Sequence, residues 1–230
     1  MSDEPGSIRA DQLMSALISD PTGFNKSGLG NDLLAGFLRG YPLDRLQSLL
    51  RHQDAKIVKE AIWIASELPC AAADLLDDAI AISKHLDRRI RYFALDVIVL
   101  GTRDSRREEF VRVVAGSDDP DLAVADHAVF LISRATEGQL TAAIGHLELR
   151  EPTSPHLDGL RAMLKLDPSD PTEIKEMLES GDARLRKYGL AAAERAYDSD
   201  PEPLEHAANS KDDFIRSLAA HLLKQHRLQH

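Results

Sequence analysis

At 230 residues, with 43% hydrophobic side chains and a mean hydropathy of -0.28, the chain can bury a core as one large domain or one continuous array. No stretch of it nears the roughly 18 to 20 apolar residues that cross a bilayer. A formal net charge of -10 and a pI near 5.3 oppose the phosphate attraction that dominates nucleic-acid binding, and Cys70, the only cysteine, excludes an intrachain disulfide or a cysteine-based zinc site.

The acidic, polar start Met1-Ser2-Asp3-Glu4-Pro5-Gly6-Ser7 lacks the basic and apolar regions of a secretory signal, so a cytoplasmic protein is expected. Residues 1–40 read as an N-terminal helical cap. Ile8, Leu13, Leu17 and Ile18 have helical spacing and predict a helix over 7–19 that Asp20-Pro21 ends. Residues 21–30, with three glycines, predict a loop. Asn31 then predicts the cap of a second short helix through Leu33, Leu34, Phe37 and Leu38. Such a cap shields the end of an open helical array from water.

From residue 41 to 230 an internal repeat sets the organisation. Five times an Asp is followed by an aliphatic residue three positions on and by Ala or Gly seven positions on: Asp54, Ile57, Ala61; Asp87, Ile90, Ala94; Asp121, Val124, Ala128; Asp182, Leu185, Gly189; Asp212, Ile215, Ala219. The Asp is a helix N-cap. Positions three and seven beyond it share a helix face, and a small residue there lets a neighbouring helix come close.

A second apolar set stands eight, five and four residues before the anchor, as in Leu46, Leu49 and Leu50 or Ile174, Met177 and Leu178. The third unit matches only when counted from Asp119, through Val111, Val114 and Ala115, which predicts that Pro120 and Asp121 are a two-residue insertion. Each unit is thus helix, turn, helix, and only stacking buries both stripes. The units are 43–68, 72–101, 107–135, 137–166, 170–197 and 200–226, about six helix pairs. The fourth is irregular: Ser154-Pro155-His156 stands where its anchor belongs, and a kink or longer turn is expected at Pro152 and Pro155.

The Asp, aliphatic, Ala pattern, with Arg four residues after the anchor at Arg91, Arg186 and Arg216, resembles the HEAT repeat family of armadillo-like solenoids over residues 43–226. The resemblance implies an all-α right-handed α-α superhelix whose second helices line a concave face. Residues two, five and nine after each anchor then face a partner, and the expected partner-binding residues are Lys59, Trp63, Arg89, Tyr92, Asp96, Asp126, Phe130, Lys187 and His221. Aromatics ringed by charge are what interfaces favour, although Trp63, Tyr92 and Phe130 also suit packing between layers.

Motifs for chemistry are sparse. Gly23-Phe24-Asn25-Lys26-Ser27 lacks the spacing of a phosphate loop. Asp74, Asp77 and Asp78 read as a helix first turn rather than a cation site, and the His residues include no His-Glu-x-x-His. HEAT-like hydroxylases carry repeated His-Glu dipeptides, of which this chain has none, and HEAT-like DNA glycosylases need a basic groove. No catalytic residue, metal or cofactor is therefore expected.

The segments Gly40-Tyr41-Pro42-Leu43 and Trp63-Ile64-Ala65-Ser66-Glu67-Leu68 look like small bacterial HEAT-like proteins associated with toxin systems. That likeness implies an immunity protein whose partner is another protein, a basic toxin domain; charge and composition add the expectation of neither nucleic acid nor membrane, and a monomer is expected. The alternatives are a scaffold or adaptor for a peptide or enzyme and, less favoured, a DNA-repair enzyme.

Overall fold

The computed structural model describes residues 5–166 and 171–229; the first four residues of the expected cap, residue 170 at the head of the fifth unit and residue 230 lie outside the described residues. Helix makes up 74% of the structure, and no strand occurs among the described residues. The chain divides into two compact units, Met1–Ser105 and Arg106–His230.

The first unit holds α1 (Pro5–Ser19), α2 (Pro21–Ser27), α3 (Gly30–Leu38), α4 (Leu43–Leu50), α5 (Ala55–Ser66), a 3-10 turn at Pro69–Ala71 that carries the exposed Cys70, α6 (Leu76–Ile82) and α7 (Arg88–Gly101). The second begins with a 3-10 turn at Arg107–Phe110. It continues through α8 (Val111–Gly116), α9 (Leu122–Ser133), α10 (Glu137–Arg150), α11 (Leu157–Lys165), α12 (Pro171–Leu178), α13 (Ala183–Ala196), α14 (Glu202–Ala207) and α15 (Asp213–Gln229).

One turn design recurs at all five anchors. The side chains of Asp54, Asp87, Asp121, Asp182 and Asp212 each accept the backbone N–H two residues on, at 2.8, 2.8, 3.1, 2.7 and 3.0 Å, which caps α5, α7, α9, α13 and α15. The backbone N–H of each anchor in turn donates to a side chain two residues upstream. These acceptors are His52 Nδ1 (3.0 Å), His85 Nδ1 (2.9 Å), Asp119 Oδ1 (2.9 Å), Ser180 Oγ (3.1 Å) and Ser210 Oγ (3.2 Å). The Arg four residues after the anchor closes the turn from the other side. Arg91, Arg186 and Arg216 donate to the carbonyl oxygens of His85, Ser180 and Ser210 at 2.8, 2.7 and 3.0 Å. Arg186 also reaches forward to the anchor of the following pair, Asp212, at 2.9 and 2.7 Å.

The small residues seven beyond the anchors are buried: Ala61, Ala94, Ala128 and Ala219 are 0% exposed, and a methyl group on Gly189 would stand 2.9 Å from the backbone nitrogen of Leu178. Ile57, Ile90, Val124 and Ile215 are buried beside them, whereas Leu185 is only half-buried. The third pair corrects the expected insertion. Counted from Asp121 it keeps the common register, with Val113 and Ser117 buried and Gly116 between them, while Ala115 is exposed. Two small residues in apolar positions disguise that stripe.

The N-terminal segment departs from expectation at residues 21–30. Asp20 caps rather than merely terminates: its carboxylate accepts the Gly23 N–H at 2.9 Å, Pro21 takes the first helical position, and α2 runs to Gly28, whose φ of 71° ends it. Helix α3 starts at Gly30, with Leu29 and not Asn31 before it. The buried face of α1 is Ala10, Leu13, Met14 and Leu17, which leaves Ile8 and Ile18 about half exposed; Leu33 and Phe37 anchor α3 while Leu38 points outward.

In the first unit like helices pack on like: α4 on α6, α5 on α7, with α2 and α3 against α5. In the second unit α12 packs on α14 and α13 on α15, but α9 packs directly on α13, while α11 lies against α10 and α13. The fourth pair is the cause. Helix α10 starts well, with a Thr136–Gln139 capping box, but residues 151–156 hold two prolines and no capping Asp, and His156 precedes α11 without a side-chain cap bond. Gly159 then seats α11 on α13, since a methyl there would be 2.0 Å from the Tyr188 ring. Replacing Ala94 by Leu overpacks the fully buried side of α7 and is expected to cost about 1 to 3 kcal/mol in urea denaturation, whereas the same change at exposed Ala123 leaves the midpoint nearly unmoved.

Candidate functional site

Five of the expected contact residues lie on α5 and α7. Lys59 and Trp63 are half-buried one turn apart on α5, and the Trp63 ring abuts the start of α3: a methyl group on Gly30 would be 3.0 Å from Trp63 Cζ3. Glu60 shares that corner, and burial pushes its carboxyl above the usual range against the lowering effect of Lys59. Trp63 thus packs between elements on one side and remains partly open on the other. On α7, Arg89 is exposed, Tyr92 and Asp96 are half-buried, and Tyr92 stands edge-on to Phe93 with ring centroids 5.3 Å apart. Burial, then the charge of Asp96, raises the Tyr92 hydroxyl above its ordinary value.

The other four lie in the second unit. Phe130, half-buried on α9, stacks on His127 with centroids 6.3 Å apart, and the Arg134 guanidinium sits 5.1 Å from its ring centre. Asp126, one turn earlier, is half-buried. Burial raises its carboxyl, opposed by the nearby charges of His221 and Lys187. His221 is exposed on α15, with a ring nitrogen 2.9 Å from the Gln225 amide.

Lys187 is turned inward. Its ammonium donates to the Ser117 carbonyl and to Asp118 at 3.3 Å, and lies 5.1 Å from the Phe214 ring centre. It neutralises the α8–α9 turn. The structure therefore brings Lys187 and His221 within electrostatic range of Asp126 but commits Lys187 to the scaffold.

Two polar clusters lie beyond what the sequence pattern predicts. In the first, Asp118 accepts from Arg184 at 2.7 Å as well as from Lys187, and lies 3.6 Å from His156 Nε2, while His156 Nδ1 meets the Tyr188 hydroxyl at 3.0 Å. Those partners suit the tautomer with its proton on Nε2, so that Tyr188 donates to Nδ1. Burial drives the Tyr188 hydroxyl far above its ordinary value. The Asp118 carboxyl is held below the usual carboxylate range: burial acts to raise it, and Arg184, Lys187 and His156 together overcome that.

In the second cluster, Glu194 of α13, whose side chain is 2% exposed, takes Arg134, the C-cap of α9, at 3.3 Å and His226 of α15 at 3.0 Å, and Tyr197 stacks on that His226 ring at 3.8 Å. Each cluster ties together turns or helices far apart in sequence. Asp78 is likewise committed, to Arg51 at 2.6 and 3.2 Å, and no group of three metal-ligating side chains stands ready for an ion among the described residues.

The second unit also has a pocket of about 630 Å³ between its last two capped turns, where Arg186, already bound to Asp212 and Ser180, forms one wall.

The network around His156 sets a pH dependence. Burial lowers the His156 pKa below its ordinary 6.5, reinforced by Arg184 and Lys187 and opposed by Asp118. The unfolded chain therefore takes up the proton first, so stability is full above about pH 6.5 and falls as the pH drops below it. The expected slope is on the order of 1 kcal/mol per pH unit at most for this one group. Asp118, with a depressed pKa, contributes stability that is lost only in a lower window, beneath the ordinary carboxylate range. Denaturant midpoints measured from pH 7.5 down to pH 5.5 (about one unit to either side of the ordinary histidine pKa) should fall less steeply in His156→Gln than in the parent protein. Equal slopes would assign the effect to other histidines. No protein-family model matches this sequence, and no curated protein matches it.

Proposed function

We propose that this protein is a binding protein rather than an enzyme: a HEAT-like right-handed α-solenoid that presents its second helices to a protein partner, and within that class a bacterial cytoplasmic immunity protein, monomeric, that neutralises a toxin. What supports this most is one recurring arrangement. On three of the second helices an aromatic at the expected register, Trp63, Tyr92 or Phe130, stays half-buried beside a half-buried carboxylate, Glu60, Asp96 or Asp126, even though the neighbouring small-residue stripe is packed to full burial. Partly open aromatics with polar neighbours are the composition of interface centres. A charge of -10 favours fast, electrostatically steered association with a basic toxin domain.

A photo-reactive residue in place of Tyr92 should cross-link one and the same protein that a probe at Phe130 captures, and a probe on the first-helix residue Glu173 should not. Calorimetric titration of that captured protein against Trp63→Ala and Tyr92→Ala, both confirmed folded, is expected to show a loss of about 2 kcal/mol or more in at least one variant. Co-expression should relieve the captured protein's toxicity. Unchanged affinity in both folded variants rejects the second-helix face as the binding surface; a non-toxic client turns the reading toward a scaffold.

A further inference from the structure

The buried and half-buried carboxylates of the second unit are almost all provided for from within. Asp118 has Arg184 and Lys187, Glu194 has Arg134 and His226, and Asp212 has Arg186. Asp126 is the exception. Among the described residues it accepts no hydrogen bond and enters no ion pair, although it is half-buried on α9 in the register of the proposed face.

The two basic side chains near Asp126, Lys187 and His221, are not free to turn toward it. Lys187 is held by the Ser117 carbonyl, Asp118 and the Phe214 ring, and the His221 ring faces Gln225. Phe130, one helical turn on, supplies an apolar wall whose ring is already flanked by His127 and Arg134. A carboxylate so placed has lost part of its hydration without gaining a partner, which costs free energy in the unbound protein. A guanidinium or ammonium arriving from outside would replace the lost hydration with charge-assisted hydrogen bonds, in surroundings where these are stronger than in water. Glu60 in the first unit is also desolvated, but it abuts the start of α3, where a helix N-terminus already favours negative charge.

From this combination of half-burial, absent partner and committed neighbours we infer that Asp126 is the docking point for a basic side chain, arginine or lysine, of the protein partner. The inference rests on the protein-binding reading above and names the chemistry that the face recognises. Arginine is the better fit, because its planar fork can take both carboxylate oxygens at once.

The test uses the full chain and two fluorescent peptides of equal length, oligo-arginine and oligo-glutamate, followed by anisotropy at low and at physiological ionic strength. The parent protein should bind oligo-arginine and not oligo-glutamate. Asp126→Asn, which keeps the shape and removes the charge, should weaken oligo-arginine binding by about tenfold, equivalent to about 1.4 kcal/mol. Asp158→Asn, at a side chain that is 93% exposed, should change it by less than about twofold, as expected of a rim charge. Circular dichroism of each variant establishes that it is folded.

Equal losses in Asp126→Asn and Asp158→Asn would reduce the effect to net charge and overturn the inference. Binding that survives Asp126→Asn but is lost in Phe130→Ala would overturn it too while leaving the binding face in place. Absence of oligo-arginine binding to the parent protein overturns it as well, and the cross-linking experiment then judges the binding face separately.

Discussion

A carboxylate that accepts the N–H two residues further along is the interaction on which each regular pair of helices depends. At Asp54, Asp87, Asp121, Asp182 and Asp212 it fixes the first residue of the second helix, and with it the face on which the residues three and seven positions later will lie. Move the cap by one residue and that face turns by about 100°, which would carry the small-residue stripe out of the contact it serves. The upstream acceptor secures the same turn at all five anchors, and at Asp87, Asp182 and Asp212 the downstream arginine locks it from the other side. Helix start, stripe direction and interhelix distance are therefore one decision, taken locally in a few residues.

Charge is distributed unequally between scaffold and surface. The protein is acidic overall, yet Arg51, Arg134, Arg184, Arg186 and Lys187 are all spent on internal carboxylates at turns or between helices. Cations that look available in the sequence are structural in the fold, and Lys187 is the clearest case. What the second helices keep partly open are the aromatics Trp63, Tyr92 and Phe130, with Glu60, Asp96 and Asp126 beside them and Lys59 and Arg89 on the same two helices of the first unit.

The repeat is legible in the sequence because its signals are local and discrete. An Asp at a fixed offset from Ile and Ala leaves few alternatives, and all five anchors and the small-residue stripe lie where that pattern puts them. The acceptor two residues before each anchor is harder to see because His, Asp and Ser share no identity as letters, only a reach and a lone pair. The third pair misleads because Gly116 and Ser117 fill apolar positions by being small. Asp20-Pro21 reads as a stop, although an acceptor followed by proline is equally the start of a helix. The roles of His156, Tyr188 and Glu194 leave no trace in the pattern, since they arise between residues 32 to 60 positions apart and follow from an irregular fourth pair that no periodicity describes.

That fourth pair also sets an order of assembly. Within the first unit the pair α4–α5 contacts its successor α6–α7, and within the second α12–α13 contacts α14–α15, so these neighbours can form as the chain closes short loops. The seam between α9 and α13 joins residues 60 apart, as in Arg134 with Glu194, and must wait until the intervening α10 and α11 have been laid aside. Loop-closure entropy rises only slowly with such a span, but it must be met before any contact across the seam rewards it. The seam is thus the part of the second unit that local pairing cannot prepare, and its buried Glu194 depends on partners 60 and 32 residues away.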